Sequence, residues 1–247
     1  MSSQVELPSL PVQLLIFDLD GTLIDSREDL ANAVNATRLH MGLPPLDARL
    51  IASYVGDGAP VLMRRALGPE FSEEDVQRAL EYFLNYYGEH KLDCTRPYPG
   101  VTEALGRFAR AGVKMAVLTN KPVRISKAIL EGLDLAPYFF AVYGGNSFPE
   151  KKPHPIGVET LCREAGVEPD RAMLVGDSAV DIRTARNAGV RACGVTYGFQ
   201  PETLAQEPPD MLVDSLPELA DRLGVAPLAT SSLGPGLHQQ MPLEFDV

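Results

Sequence analysis

The chain has 247 residues, 45% hydrophobic and 22% charged, with a formal net charge of −11 at pH 7. That length and balance suit a globular protein with one large domain, or a core domain plus a smaller one. The acidic charge excludes the basic face that nucleic-acid binders carry, and Lys151-Lys152 and Arg64-Arg65 are the sole Lys-Lys and Arg-Arg pairs, so no nucleic acid is expected as a partner.

Residues 1–10 lack a basic stretch followed by an apolar one, so no secretory signal is expected there. The first apolar run, residues 13–17, ends at Asp18 and reads as a buried strand of a parallel sheet. From about residue 26 to 90 the pattern is helical throughout. Ser26 and Asp29 look like a capping pair before Leu30, Val34 and Leu39, and Ser72 to Asp75 start another helix running to Tyr87. Such a block after a first strand is too long for an ordinary connection and reads as a separate small helical domain.

Beyond it, strands and helices alternate. Strands are predicted at 113–118, 139–143, 172–175, 192–195 and 211–213. Helices are predicted at 101–111, 123–131, 155–165, 179–188 and 217–223, several ending at a capping glycine (Gly112, Gly132, Gly166, Gly189). The expected architecture is a doubly wound, Rossmann-like α/β core with an inserted all-helical cap. The core takes residues 11–24 and 98–224, the cap 25–97, and a Pro/Gly/Ser/Gln-rich extension 225–247. No run approaches the roughly 18 apolar residues of a membrane span. Cys94, Cys162 and Cys193 are odd in number and widely spaced, which fits reduced thiols in the cytoplasm rather than a disulfide framework or a zinc site.

Ligands of open parallel sheets bind beyond the carboxyl ends of the strands. The residues there are Asp18-Leu19-Asp20-Gly21-Thr22, Thr119-Asn120-Lys121, Lys152, and Gly176-Asp177-Ser178 with Asp181. Asp18, Asp20, Asp177 and Asp181 in one crevice would repel unless a cation joins them or some are protonated. Hard oxygen ligands fit Mg²⁺. Thr119, Lys152 and nearby backbone N–H groups could hold a phosphate, with Gly21 allowing close backbone approach. Asp18 would then be a carboxylate nucleophile and Asp20, two residues on and on the same side of an extended segment, the acid/base. Each element also has a plain reading: D-x-D-G as a turn, Asp181 as a helix cap to Ser178, Thr119-Asn120 as a turn, Lys152 as a solvated lysine.

These motifs resemble those of the haloacid dehalogenase superfamily: Phe17 to Leu23, Leu118-Thr119-Asn120, Lys152-Pro153, and Gly176-Asp177-Ser178 with Asp181. The likeness spans roughly residues 13–223. Within the superfamily it is strongest to bacterial phosphoglycolate phosphatases, through residues 17–31, 55–67, 119–122 and 194–198. The resemblance implies Asp18 as nucleophile and Asp20 as acid/base. It also implies Asp18, the main-chain oxygen of Asp20 and Asp177 as Mg²⁺ ligands, with Asp181 in support, and Gly21, Thr119, Asn120 and Lys152 on the phosphate. The implied substrate is a small phosphorylated metabolite, 2-phosphoglycolate, whose carboxylate Arg64 or Arg65 could meet, with Tyr54, Asp57 and Gly58 on the loop facing it; the plain reading of both arginines is a solvated helix face. A sugar phosphate such as N-acetylmuramic acid 6-phosphate, a phosphomutase and a non-enzymatic phosphate-responsive binding protein are the rival readings. Two positions depart from the pattern: Asp57 stands where Asn is common, and His154 where a smaller polar or acidic residue is common. One sequence carries no cue to oligomeric state.

Overall fold

The structure, a computed structural model, describes residues 12–227. The expectations for residues 1–10 and for most of the extension lie outside them. Six strands form a parallel sheet in the order β5-β4-β1-β6-β7-β8: β1 (Leu14–Phe17), β4 (Lys114–Leu118), β5 (Ala141–Tyr143), β6 (Ala172–Gly176), β7 (Arg191–Val195) and β8 (Met211–Val213). This is the expected doubly wound sheet. The central strands are apolar at every position but the first of β4, the exposed Lys114, because both faces are covered. Leu15, Phe17, Met115, Val117, Met173 and Val175 enter one core cluster, while Leu14, Ile16, Ala116, Leu118, Ala172 and Leu174 enter the other.

The first face is covered by α5 (Val101–Arg110), α6 (Val123–Gly132) and α9 (Leu216–Arg222), the second by α7 (Ile156–Ala165) and α8 (Ala179–Asn187). The other helices precede β4: α1 (Arg27–His40), α2 (Ala48–Tyr54), α3 (Ala59–Leu67) and α4 (Glu73–His90). The chain leaves for them and returns through a short antiparallel ribbon, β2 (Ile24–Asp25) with β3 (Arg96–Pro97). Their buried side chains, among them Leu30, Leu62, Met63, Phe83 and Tyr87, belong to the same contiguous cluster as the first sheet face.

Local chemistry differs from expectation in places. Ser72 and Asp75 form a reciprocal capping box at the start of α4. Ser26 and Asp29 do not cap α1. Ser26 donates its hydroxyl to Asp20, and buried Asp29 accepts from the backbone of Cys94 and Thr95 and from the Thr95 hydroxyl. Gly132 stays helical, with Leu92 packed where a Cβ would sit, and the left-handed residue beyond it is Asp134. The strand expected at 139–143 begins at Ala141, after a single 3₁₀ turn over Ala136–Tyr138. At the other end of the described chain, Val225 is buried and the Arg107 guanidinium bonds its carbonyl and that of Ala226.

Candidate active site

β1 stops at Phe17, but Asp18 continues its ladder, donating its N–H to the Val175 carbonyl at 2.9 Å. The pleat carries one step further: Leu19 is fully buried in the apolar core while Asp18 and Asp20 face a shared cavity. A tight turn follows, with the Gly21 N–H bonded to the Ile24 carbonyl at 2.9 Å. Gly21 holds φ at 83°, and a Cβ there would fall 2.3 Å from Asp177 Oδ2. Its glycine is therefore required twice, by backbone conformation and by close approach.

The cavity, about 60 Å³, lies at the carboxyl ends of β1, β4 and β6, where the strand order reverses. Asp18, Asp20, Thr119, Asn120, Lys152, Asp177 and Asp181 all line it. Lys152 Nζ reaches Asp18 at 2.8 Å and Asp181 at 2.6 Å, so the lysine is buried and paired rather than solvated. Burial opposes its charge, but Asp18 and then Asp181 outweigh that and raise its pKa. The two readings of Asp181 prove compatible. Its Oδ2 accepts from the Ser178 hydroxyl and N–H as a capping box for α8, while its Oδ1 takes Lys152.

Asp18, Asp177 and Asp181 offer carboxylate oxygens within 4.8 Å of one another, all buried. Burial pushes the Asp18 carboxyl up to about 6; Lys152 opposes the rise, and Asp181 and Asp20 add to it. Asp177 is raised well above the usual carboxylate range, first by burial, then by Asp181 and Asp18, against the backbone N–H groups of Phe199 and Gln200. Three buried acids with one ammonium between them are short of positive charge. An all-oxygen, hard donor set of this kind fits Mg²⁺. Gly21 and Gly198 complete the cradle, since a Cβ at either would collide with Asp177.

Other placements differ from the expectations. Asn120 has both ends of its side chain engaged: Nδ2 donates to the Gly56 and Lys152 carbonyls and Oδ1 accepts the Lys152 N–H at 3.0 Å. Its side chain positions the lysine and the 53–58 loop. Gly58 lines the cavity; Tyr54, Asp57 and Arg64 do not. Arg64 is held by the Phe71 carbonyl and Glu73, and Arg65 by Asp57 at 2.6 Å and the Tyr54 carbonyl at 3.1 Å. Carboxylates and carbonyls of their own segment outcompete a site from which α3 turns them away. His154 accepts the Ile156 N–H at the start of α7, a local role at the surface.

Sequence reasoning missed the partners of Asp20. Lys121 Nζ grips both its oxygens, at 3.0 and 2.9 Å, and also the Tyr87 hydroxyl at 2.8 Å. Asp20 and Tyr87 together outweigh burial and raise the Lys121 pKa. The spacing carried the signal: Lys121 stands two residues after Thr119, as Asp20 does after Asp18. Tyr87 comes from α4, and no local pattern could have placed it there.

The parallel α/β sheet thus gathers a buried aspartate, a second carboxylate two residues on, a paired lysine and a cluster of three buried acids at one cavity. The sequence profile of the family described as haloacid dehalogenase-like hydrolase matches residues 15–195. This chain belongs to that family, and it is an enzyme, a phosphatase-like hydrolase. It is 41% identical to the phosphoglycolate phosphatase of Chromobacterium violaceum over 215 residues, 85% of this chain and 96% of that one. It is 39% identical to phosphoglycolate phosphatase 1 of Pseudomonas aeruginosa, over 90% of this chain and 85% of that one. A crystal structure from Haemophilus somnus, titled as a predicted phosphoglycolate phosphatase, superposes with a TM-score of 0.82 at 35% identity, over 86% of this chain and 98% of the other. No described helix is long and apolar enough to cross a membrane.

Proposed function

We propose that the protein is a Mg²⁺-dependent phosphatase that hydrolyses 2-phosphoglycolate to glycolate and phosphate through an aspartyl-phosphate on Asp18. The observation that carries this reading is that Asp18 and Asp20 share one buried cavity yet have separate cationic partners, Lys152 and Lys121. Two neighbouring carboxylates held by different cations suit two different roles.

A carboxylate oxygen of Asp18 attacks phosphorus, and the bond from phosphorus to the ester oxygen breaks. Asp20 gives a proton to that leaving oxygen, then takes one from the water that attacks the aspartyl-phosphate and regenerates Asp18. Lys152 and the Thr119 hydroxyl hold the phosphoryl oxygens while Asn120 keeps Lys152 in place. Asp18, Asp177 and the main-chain oxygen of Asp20 would hold Mg²⁺, which supplies positive charge beside the phosphoryl group. Asp181 supports from behind, since both its oxygens are already engaged with Ser178 and Lys152.

Residues 25–97 act as a cap over this core. The 53–58 loop is clasped to it by Asn120, by Gln200 on the Ser53 and Val55 carbonyls, and by Lys151 on the Asp57 carbonyl. With the loop in this position, Val55, Gly56 and Gly58 bound the cavity, which suits a small phosphoester. The relatives' name points the same way.

The test is phosphate release from 2-phosphoglycolate, N-acetylmuramic acid 6-phosphate and simple sugar phosphates, with and without Mg²⁺, against Asp18→Asn as the blank. Preference for 2-phosphoglycolate that vanishes without Mg²⁺ supports both mechanism and substrate. Mg²⁺-dependent release favouring another ester overturns the substrate. Release equal to that of the Asn variant overturns the enzyme mechanism.

A further inference from the structure

If the substrate is 2-phosphoglycolate, a second negative group must be accommodated in a cavity already lined by Asp18, Asp20, Asp177 and Asp181. Both arginines that might have met it, Arg64 and Arg65, are taken by their own segment. Among the described lining residues the cations are Lys152 and Lys121. Lys152 is bound to Asp18 and Asp181, at the nucleophile and metal end. Lys121 sits on Asp20.

Proton transfer requires the leaving oxygen to lie within hydrogen-bond reach of Asp20. In 2-phosphoglycolate a single methylene separates that oxygen from the carboxylate carbon. The carboxylate therefore falls close to Asp20, whose two oxygens lie within 3.0 Å of Lys121 Nζ. The Tyr87 hydroxyl is its neighbour. Its oxygen accepts from Lys121, which leaves its own hydrogen free to donate, and the ring lies beneath the ammonium at 4.5 Å. Burial pushes the Tyr87 phenol up to about 12, so that hydrogen is retained at neutral pH. Leu30, Leu62, Phe83 and Ile125 also line the cavity and supply apolar surface there.

We infer that Lys121 and Tyr87 form a carboxylate-binding subsite that selects phosphoesters with an acid group one carbon from the ester oxygen. This rests on the phosphoglycolate reading and adds the residues that carry it. A carboxylate there receives one charge-assisted bond from Lys121, which gives up one of its two contacts to Asp20, and one bond from Tyr87. Lys121 is supplied by the segment after β4 and Tyr87 by α4, so the subsite is complete when the helical segment sits against the sheet.

The test compares kcat/KM for 2-phosphoglycolate with that for ethyl phosphate, which has the same ester linkage without the acid. In Lys121→Met the loss on 2-phosphoglycolate should exceed the loss on ethyl phosphate by about 30-fold, the usual worth of a buried charge-assisted bond. Most of it should lie in KM, because both the bound ester and the transition state keep the carboxylate. Tyr87→Phe, which keeps the ring and the packing, should reduce the same ratio by about 5-fold, a neutral donor's share. A wild type with no preference for 2-phosphoglycolate overturns the substrate reading and the subsite together. A wild type that prefers it, with both variants retaining that preference, overturns the subsite alone. Equal losses on the two esters, confined to kcat, also overturn it and reduce Lys121 to a positioning residue for Asp20.

Discussion

Asp18 ionises near 3.8 in an unfolded chain and is pushed up to about 6 in the folded one. Between those values the folded state holds a proton that the unfolded state has released, so stability falls as pH rises through the window and stays lower above it. Asp177 acts in the same direction. Without metal, the protein should therefore melt higher at pH 5 than at pH 7.5 through these groups. Asp18→Asn should shrink that difference, by on the order of 1–1.5 kcal/mol in the linkage between those two pH values. Thermal melting in EDTA at the two pH values checks it; an unchanged difference in the variant would show that Asp18 is not the group responsible. Mg²⁺ competes with the same protons, so its stabilising shift should weaken as pH falls through about 6. In Asp177→Asn that shift should disappear while the metal-free protein melts no lower, because the substitution removes one of three crowded charges.

At the scale of elements, Asp29 shows how the two ends of the helical segment are fastened to each other where they meet the core. It is 1% exposed, and its carboxylate joins α1 to the returning chain at Cys94 and Thr95. Asp29→Ala leaves those buried donors without an acceptor and should cost roughly 3 kcal/mol or more, read in urea unfolding. Asp29→Asn keeps one acceptor oxygen and should cost less. The loop after β4 is held in another way. Gly144 and Gly145 lie so close to its backbone that a Cβ would meet Val123 N and Asn120 O at 2.4 Å each. Gly145→Ala should displace Asn120 and Lys121, lowering kcat/KM more than it lowers stability, whereas equal effects would place the damage in folding alone.

For the whole molecule, the contacts that matter cross from the helical segment to the sheet. Gln200 alone reaches two carbonyls of the 53–58 loop, at 3.0 and 2.6 Å. Gln200→Ala removes both and should lower kcat/KM on the order of 10-fold, from two bonds of ordinary strength. Limited proteolysis should cut the 53–58 loop faster in the variant. No change in either measurement would mean that the clasp does not hold the loop closed.

The parts legible in the sequence are those with a local cause. Continuous apolar runs marked the strands, because a two-faced sheet buries every position. The residues just past those runs marked the cavity, because parallel strands all end on one side. Asp18, Asp20, Thr119, Lys152, Asp177 and Asp181 were therefore found, and they do meet. The partners of Arg64 and the place of Tyr87 are not legible in the sequence for one reason: a helical pattern fixes which residues share a face but not what that face meets. Ser26 and Asp29 have the spacing of a cap, yet acceptors and donors brought from distant segments took their side chains instead. The sequence by itself determined the placement of the motifs at strand ends, the acidic site and the family they mark. Only the tertiary structure decided which cation partners which carboxylate, because that depends on distances between segments such as Tyr87, Lys121 and Asp20 that no local periodicity encodes.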